Sequence, residues 1–482
     1  MTKNQLLLIL AVLVPTGGAF LLPLLGSFST GVRNAAAFVF TLAALVCSAA
    51  LLPSVLAGQT TTVSAALPLG FNFILHADGL AVFVAMVSSL ISAIIVFYST
   101  SYISHYRNQN EYYAMVVVFL GAMMGLVFSG NLILLYVFWE ITAIASWRLI
   151  GFFREKQHVI RADKAFLVTA FGALAMLLGF IMVYAQTGSF DLAVIKQQMH
   201  GNYIATLPLV LIMLGILSKS ATLPFHTWLP DAGVAPSPVT ALLHAAVLVK
   251  IGVYVFARLF VVTFNVDPTW QTAILGVAAA STLVSAAAAM MDTDLKRIIA
   301  YSTVSQIGFI FLGFASGSKM GIAGALLFIL MHGLAKGGLF LCAGIIEQNT
   351  GTKDVTKMGG LIKTMPVTAI AFFLCAMSVM GVPPFGGFFS KYMVLSGAVE
   401  GGHFGIAMVF VVGAILTILY LLRLFNAIFL GEPKTELVKE GSPVMVGSVA
   451  LLAALSLISG LLIYFPAGFA EATVNQMTGW LK

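Results

Sequence analysis

The stretch LSKSATLPFHTWLPD, residues 217–231, interrupts an apolar segment with a lysine, several hydroxyl groups and two prolines. Shifting the chain by 160 residues places LPF at 223–225 on PPF at 383–385, inside a second interruption, GVPPFGG at 381–387. In a membrane, unwound backbone is tolerated only where protein or a water-filled cavity receives it, and paired interruptions in two halves of a chain indicate a transport site. The repeat therefore predicts two broken helices at corresponding places.

The composition around these interruptions is that of a membrane protein. Of 482 residues, 60% are hydrophobic and 9% are charged, whereas soluble domains have about 45–50% apolar and about 25% charged residues. The 24 basic and 17 acidic side chains are too few to cover the surface of a soluble particle. The apolar runs are also too continuous for a porin-like barrel. We therefore predict an all-α polytopic membrane protein, which excludes secreted, cytosolic and disordered classes.

Stretches of about 20 apolar residues indicate membrane spans. Fourteen candidates lie near 4–25, 33–54, 77–101, 112–129, 131–150, 164–186, 205–223, 238–262, 270–290, 297–316, 321–346, 366–395, 403–430 and 443–466. The first has the layout of a signal peptide at its start, but it runs on to Leu25 without a small-residue cleavage site, so we expect a span.

The basic residues of alternate loops predict the orientation of the chain, because positive charge is retained on the cytoplasmic side. One set of loops collects Arg33, Arg107, Arg154, Lys156, Arg161, Lys164, Lys296, Arg297, Lys353, Lys357, Lys363, Lys434 and Lys439, and the other collects Lys3, Lys196, Arg258, Lys319 and Lys482. The bias assigns the first set to the cytoplasm. It predicts an even number of spans in the inner (cytoplasmic) membrane of a cell, with both termini on the outer side.

Seven ionisable residues remain within or at the ends of spans. They are Glu140, Arg148, Lys219, Lys250, Lys336, Lys391 and Arg423. Each charge at the bilayer centre costs a few kcal/mol, so several at similar depth point to function rather than to packing. We expect Arg148, near a helix end, to snorkel, and Arg423 to be either an interfacial anchor or functional.

Glu140 and Lys219 are each isolated in apolar sequence and are therefore natural partners. One alternative is a static ion pair that fixes helix packing. We favour proton transfer, because loss of hydration disfavours the charged form of a buried lysine while a nearby carboxylate favours it. A modest change in their separation could then load or unload the lysine.

His332 and Lys336 are spaced i and i+4 and share one face of a predicted helix. Histidine exchanges protons near neutral pH, so the pair is typical of a relay step. The alternative is a hydrogen-bonded core histidine beside a snorkelling lysine, although Lys336 is central in its span.

His244 and Lys250 lie on the span after the first interruption, and Lys391 follows the second. With Lys219 and Lys336, these lysines occupy four different helices with histidines between them. Such a row suits proton transfer through water along the membrane plane.

No cofactor, metal site or catalytic site is predicted. A haem between two of His226, His244 and His332 is disfavoured, because His226 belongs to an interruption. Cys47, Cys342 and Cys375 are far apart and form no CxxC pair, which excludes an iron–sulfur or zinc site built from this chain alone. The basic residues form no block that would bind nucleic acid.

Several longer motifs resemble one family of membrane subunits. They are FWE at 138–140, SKSATLPFHTWLPDA at 218–232, APSPVTALLHAA at 235–246, DLKRIIAYSTVSQIG at 294–308 and PPFGGFFSK at 383–391. The chain is similar, over roughly 75–430, to the antiporter-like subunits shared by respiratory complex I, group 4 membrane-bound hydrogenases and Mrp-type cation/proton antiporters.

The resemblance implies about fourteen transmembrane helices with two inverted five-helix repeats, each containing one broken helix. The corresponding division is 1–111, 112–262 for the first repeat, 270–430 for the second, and 431–482. By position, Glu140 and Lys219 would be the family's ion pair, and Lys391 the lysine of the second broken helix. Lys336 would be the central proton-transferring lysine, with His332 beside it.

The chain also departs from the family. Its end, about twenty residues after the last predicted span, leads us to expect neither the lateral helix of the distal complex I subunit nor the extra domains of the large Mrp subunit. The stretch around His244 and Lys250 nevertheless resembles those two proteins more than hydrogenase subunits. Trp147-Arg148 replaces the small or aliphatic residues usual there.

The leading functional prediction is a proton-translocating subunit of a redox-driven pump related to complex I, of NADH/quinone or ferredoxin/hydrogenase type. Its partners would be redox subunits and related antiporter-like membrane subunits. The alternatives are a subunit of an Mrp-type Na+/H+ antiporter and an ion-coupling partner of an inorganic-carbon uptake complex.

Overall fold

The apolar runs form helices in the computed structural model, which describes residues 1–66, 68, 72–434 and 439–479. The prediction of an all-α polytopic membrane protein is confirmed. Lys482, which the charge pattern places with the outer loops, lies outside the described residues.

The helices follow one another with short connections, and one β-hairpin precedes the third helix. Their bounds are α1 Lys3–Phe28, α2 Thr30–Leu56, β1 Thr61–Ala66, β2 Asn72–Ala77, α3 Gly79–Tyr102, α4 Gln109–Val127, α5 Leu132–Ile150, α6 Lys156–Thr187, α7 Leu192–Gln198, α8 Thr206–Lys219, α9 Trp228–Asp231, α10 Ser237–Thr263, α11 Pro268–Met291, α12 Leu295–Ala315, α13 Lys319–Thr350, α14 Pro366–Met380, α15 Gly386–Glu400, α16 Phe404–Phe429, α17 Pro443–Leu461 and α18 Tyr464–Met477.

Twelve of the described helices are long and apolar enough to cross a membrane. The pairs α8 with α9 and α14 with α15 supply two further spans, each interrupted between its two helices. Because consecutive spans alternate in direction, the broken spans, which are the seventh and the twelfth, run in opposite directions. This is the inverted relation that the family resemblance implied.

Polar residues at the helix starts explain several of these bounds. Asp78, Asn131, Asp294 and Ser318 each accept a hydrogen bond from a main-chain N–H in the first turn of α3, α5, α12 and α13. Such caps satisfy N–H groups that have no partner within the helix. The spans therefore begin where the sequence supplies a short polar acceptor.

The two helix breaks have the same backbone geometry. Ala221 and Gly381, which are 160 residues apart, both have positive φ, 51° and 82° respectively. A cis peptide bond follows at Leu223-Pro224 in one break and at Pro383-Pro384 in the other. The correspondence found in the sequence is thus a correspondence of structure.

Helix α10 is irregular in two places. Its segments Leu242–Ala246 and Ala257–Thr263 are π-helical, and Val247 departs from helical geometry with φ −125° and ψ −72°. Wide turns of this kind occur frequently at functional sites. Lys250 lies between them.

The structure corrects several positions expected from the sequence. Arg258 and Lys296, expected in loops, both lie in helices and are 5% and 1% exposed. Both are near the ends of apolar runs, where a sequence pattern cannot separate a loop from a buried helix terminus. Helix α6 begins at Lys156 rather than 164, and the hairpin β1–β2 was not predicted.

Helix α13 occupies the centre of the bundle and is almost wholly buried. Its small residues permit close packing. A Cβ atom on Gly338 would lie 2.3 Å from the sulfur of Cys375, and one on Gly324 would lie 2.7 Å from the main chain of Val394. His332 and Lys336 are therefore held where several helices meet.

Candidate functional site

The four predicted lysines are buried in the membrane-spanning part of the bundle. Lys219, Lys250 and Lys336 are fully buried, and Lys391 is 5% exposed. They lie on α8, α10, α13 and α15, so the row includes both broken spans. Each ammonium group needs polar partners at this depth, and those partners define the site.

Lys219 is the last residue of α8 and points towards α5. Its Nζ donates a hydrogen bond to the carbonyl oxygen of Trp139 at 3.2 Å and lies 5.1 Å from the centre of the Trp139 ring. Glu140 is the next residue, and its side chain is half-buried. The side chains of Glu140 and Lys219 form no hydrogen bond or ion pair with each other in the structure. Their ion pair stays a prediction.

Lys250 contacts both predicted histidines. Its Nζ lies 2.6 Å from Nδ1 of His332 and donates to the carbonyl oxygen of His244 at 3.2 Å. The His244 ring packs on Phe340, with 4.4 Å between ring centres, and both its nitrogens lack a partner within the described structure.

Lys336 bonds to α12 rather than to the histidine one turn away. Its Nζ donates to the carbonyl oxygen of Ile299 at 3.1 Å and to the hydroxyl of Ser302 at 2.5 Å. The i, i+4 spacing places His332 and Lys336 on one helix face, but His332 bonds across the bundle to Lys250. The relay predicted for the pair would therefore pass through Lys250 or water.

Lys391 reaches back across the second helix break. Its Nζ donates to the carbonyl oxygens of Val379 and Met380 at 2.8 and 3.5 Å, which end α14. It also lies 4.8 Å from the ring centre of Phe309 and 5.9 Å from that of Phe328. Carbonyl groups at a helix C-terminus and aromatic faces both stabilise a cation.

Lys250, His332 and Lys336 lie together in the middle of the row. His332 bonds to Lys250, and it lies one helical turn from Lys336. Like charges repel strongly in a low-dielectric interior. Proton occupancy at one position therefore affects occupancy at its neighbours, which is the property that a proton-transfer row requires.

Arg148 and Arg423 have packing partners of their own. Arg148 forms an ion pair with Glu111, which also binds Arg154 at 2.5 Å. Arg423 donates to the carbonyl oxygens of Ala289 and Asp292 at 3.1 and 2.9 Å, at the end of α11. These contacts place both arginines outside the lysine row.

Sequence reasoning missed a buried ion pair at the end of α10. Both terminal nitrogens of the Arg258 guanidinium donate to Asp78, at 2.6 and 2.7 Å. Burial favours the neutral acid, but this guanidinium and the main-chain N–H of Ala81 hold the pKa of Asp78 well below its usual value. The partners are 180 residues apart, so no local pattern indicates them.

A second missed pair lies at the end of the bundle that carries Arg154, Lys156, Arg297 and Lys353, which we call the basic end. Lys296 binds Glu347 at 2.5 Å, and Glu347 accepts a hydrogen bond from Ser237 at 3.3 Å. The pair lines a cavity of about 430 Å³ together with Tyr102, His105, Tyr106, Phe153, Pro236, Gln348 and Asn349. This cavity offers water a polar surface beside the start of α10.

Two sequence comparisons identify relatives of the chain. Residues 129–417 match the family described as NADH:quinone oxidoreductase/Mrp antiporter, transmembrane region. A Na+/H+ antiporter subunit of Alkalihalophilus pseudofirmus is 37% identical over 423 residues, which cover 80% of this chain and 52% of that protein. A Na+/H+ antiporter subunit of Staphylococcus haemolyticus is 36% identical over 441 residues, covering 85% and 54%. The chain thus spans about half the length of these curated relatives.

Solved structures share the fold. A chain of the Mrp complex from Dietzia sp. DQ12-45-1b superposes with a TM-score of 0.89 at 23% identity and covers 100% of this chain and 98% of that chain. A chain of the membrane-bound sulfane sulfur reductase, an archaeal respiratory membrane complex, superposes with a TM-score of 0.90 at 22% identity, covering 98% and 97%. The family match extends over more than half of the sequence. The chain is therefore a member of the NADH:quinone oxidoreductase/Mrp antiporter family of membrane subunits.

Proposed function

We propose that the chain is the proton-translocating subunit of a multisubunit cation/proton antiporter of Mrp type. Protons would move along the row formed by Glu140, Lys219, His244, Lys250, His332, Lys336 and Lys391. The observation that carries the proposal is the set of four buried lysines on four helices, none bonded directly to a carboxylate among the described residues.

The partners of these lysines favour exchange over a static role. A lysine held by a buried carboxylate keeps its proton, because separating the pair leaves an uncompensated charge. Arg258 and Lys296 have such partners, whereas the row lysines bond to carbonyls, an imidazole and a hydroxyl. The row lysines are thus the buried bases that could gain and lose protons.

Similarity to antiporter subunits favours ion exchange without electron transfer. The relatives at 35–37% identity are named as Na+/H+ antiporter subunits. This supports the alternative that the sequence placed second to a redox-driven pump. Membrane partners of the same complex fit this proposal, and sodium would be the exchanged cation.

A redox-driven pump is the second candidate. It is favoured by the TM-score of 0.90 with a chain of the sulfane sulfur reductase, which is a respiratory complex. In that case redox subunits would drive the same row. We further propose that the basic end faces the cytoplasm of the cell inner membrane, as the distribution of Lys and Arg predicts.

Transport by the intact complex separates the two candidates. The complex is isolated from native membranes in mild detergent, its subunits are identified by mass spectrometry, and it is reconstituted in vesicles containing a pH-sensitive dye. We expect an imposed sodium gradient to change the internal pH without an electron donor. A pH change that requires donor and acceptor would establish the redox candidate instead, and no change under either condition would refute both.

Lys336→Ala and Glu140→Ala should each abolish proton movement in these vesicles while the complex remains assembled. Lys219→Arg should also fail, because arginine does not release its proton. Lys319→Ala is the matched control, since Lys319 is exposed at the start of the same helix as Lys336. Transport at the unaltered rate by Lys336→Ala would remove it from the path.

A further inference from the structure

Lys336 differs from the other row lysines in the chemistry of its partners. In the described part of the chain, Lys219 and Lys391 donate to main-chain carbonyls. Lys250 bonds to a carbonyl and an imidazole. Lys336 bonds to a hydroxyl, that of Ser302, in addition to one carbonyl.

The hydroxyl of Ser302 begins a chain of hydrogen bonds that leads to α16. The hydroxyl oxygens of Ser302 and Tyr420 are 2.8 Å apart, and that of Tyr420 is 3.3 Å from the hydroxyl of Thr417. Thr417 donates to the carbonyl oxygen of Gly413 at 2.8 Å. Ser302, Tyr420 and Thr417 are fully buried. Thr417 also accepts a hydrogen bond from Nε2 of Gln306 at 3.1 Å. Neither a carbonyl nor a side-chain amide readily passes on a proton, so this chain is not an exit path.

Hydroxyl groups can serve both protonation states of a lysine. A charged ammonium group requires acceptors, whereas a neutral amine requires a donor for its lone pair. A carbonyl supplies acceptors alone, so the neutral amine beside it is left with an unsatisfied lone pair, at a cost when buried. A hydroxyl can rotate and supply either.

We propose that Ser302 and Tyr420 are positioning residues that give Lys336 a hydrogen-bond partner in both its charged and its neutral state. In the charged state, Lys336 and the hydroxyl of Tyr420 both donate to the Ser302 oxygen. When an N–H bond breaks and the proton passes to a water molecule, the lone pair left on nitrogen accepts the Ser302 hydroxyl. The Ser302 oxygen continues to accept the Tyr420 hydroxyl. The inference rests on the proposed proton transport.

The pH dependence of transport by the reconstituted complex tests this arrangement. Ser302→Ala removes a charge-assisted acceptor, so the pH of half-maximal transport should fall by about one unit. Ser302→Thr keeps the hydroxyl and should restore the original value. Tyr420→Phe should instead raise the pH of half-maximal transport, by less than one unit, because a hydroxyl that accepts a hydrogen bond is the stronger donor to the neutral amine.

Tyr98→Phe is the matched control. Tyr98 is also fully buried, and its hydroxyl bonds to the carbonyl oxygen of Leu341 on α13 at 3.0 Å, but it has no contact with Lys336. We expect no shift in this variant. An equal shift in Tyr98→Phe, or an unchanged profile in both Ser302→Ala and Tyr420→Phe, would overturn the inference.

The result also separates this inference from the proposed function. If Lys336→Ala stops transport while the hydroxyl variants leave the profile unchanged, the hydroxyl pair alone is refuted. If Lys336→Ala itself transports normally, the proposed function fails first. Should Ser302→Ala not assemble, Ser302→Thr and Tyr420→Phe decide the question, and identical pH profiles for these two would contradict the inference.

Discussion

The two broken spans have the same backbone geometry at the break, but different groups donate to the helix end that precedes it. At the first break, the indole nitrogen of Trp228 donates to the carbonyl oxygen of Ser218 at 3.0 Å. At the second, the ammonium group of Lys391 donates to the carbonyl oxygens of Val379 and Met380. A neutral donor therefore satisfies a carbonyl oxygen at the C-terminal end of α8, and a cationic donor satisfies two at the C-terminal end of α14.

The functional lysines accordingly lie on opposite halves of the two spans. Lys219 ends the first half of its span and is directed away from the break towards α5. Lys391 lies in the second half of its span and bonds back across the break. The second break therefore depends on its lysine for structure, whereas the first does not.

Lys391→Met tests this difference most severely. It removes the donor to two buried carbonyls, which destabilises the fold, but it also removes the cost of burying a charge. We expect the free energy of unfolding to fall by about 2 kcal/mol in total. Lys219→Met should stop transport with little effect on stability, because it removes a single hydrogen bond, to the carbonyl oxygen of Trp139 on α5. The midpoint of thermal unfolding of the detergent-purified complex measures the stability of both variants. Equal losses of stability would contradict a structural role that Lys391 has and Lys219 lacks.

Trp228→Phe sharpens the comparison from the other side. It removes the indole donor to Ser218 and part of a fully buried ring, so we expect a loss of about 1 to 2 kcal/mol in the same thermal measurement. Transport should persist in the folded fraction, because the lysine row keeps all its members. Phe388→Leu, at the corresponding position of the second break, is the control for ring volume. A larger loss there would assign the effect to packing.

Exchanging the residues with positive φ should give the smallest effects. Gly381→Ala places a Cβ 3.0 Å from Cδ of Lys391 in a left-handed conformation, which should cost about 1 kcal/mol. Ala221→Gly should be neutral or stabilising by a few tenths of a kcal/mol, because glycine adopts that conformation without strain. If Gly381→Ala and Ala221→Gly move the thermal midpoint by the same amount in the same direction, the two positions do not share a left-handed conformation.

Much of the fold could be predicted because a charged residue is unusual within a long apolar segment of a membrane protein. Lys219, Lys250, Lys336 and Lys391 stand alone in apolar runs, and burial follows directly from that isolation. The breaks were also visible, since proline and polar residues cannot continue an apolar helix. These features depend on a few neighbouring residues, which sequence alone provides.

The remaining features depend on contacts between distant parts of the chain. Ser302 and Tyr420 are 118 residues apart, and serine and tyrosine are ordinary residues of apolar helices. Nothing local therefore indicated their hydrogen bond to each other or the bond of Ser302 to Lys336. The pairing of Arg258 with Asp78 likewise requires the packing of α10 against α3. The π-helical turns of α10 have no sequence signal that separates them from a regular helix.

The anchoring of α10 has a mechanical consequence. Its start is tied by Glu347 through Ser237 and by Lys296 through the carbonyl of Ala235, and its far end is tied by Arg258 to Asp78. A helix fixed at both ends cannot shift along its axis, so any movement must arise between the two anchors. The π-helical turn Leu242–Ala246 lies in that interval, whereas the turn Ala257–Thr263 contains Arg258 itself. Movement of Lys250 would thus deform the first turn without displacing the ends of the helix.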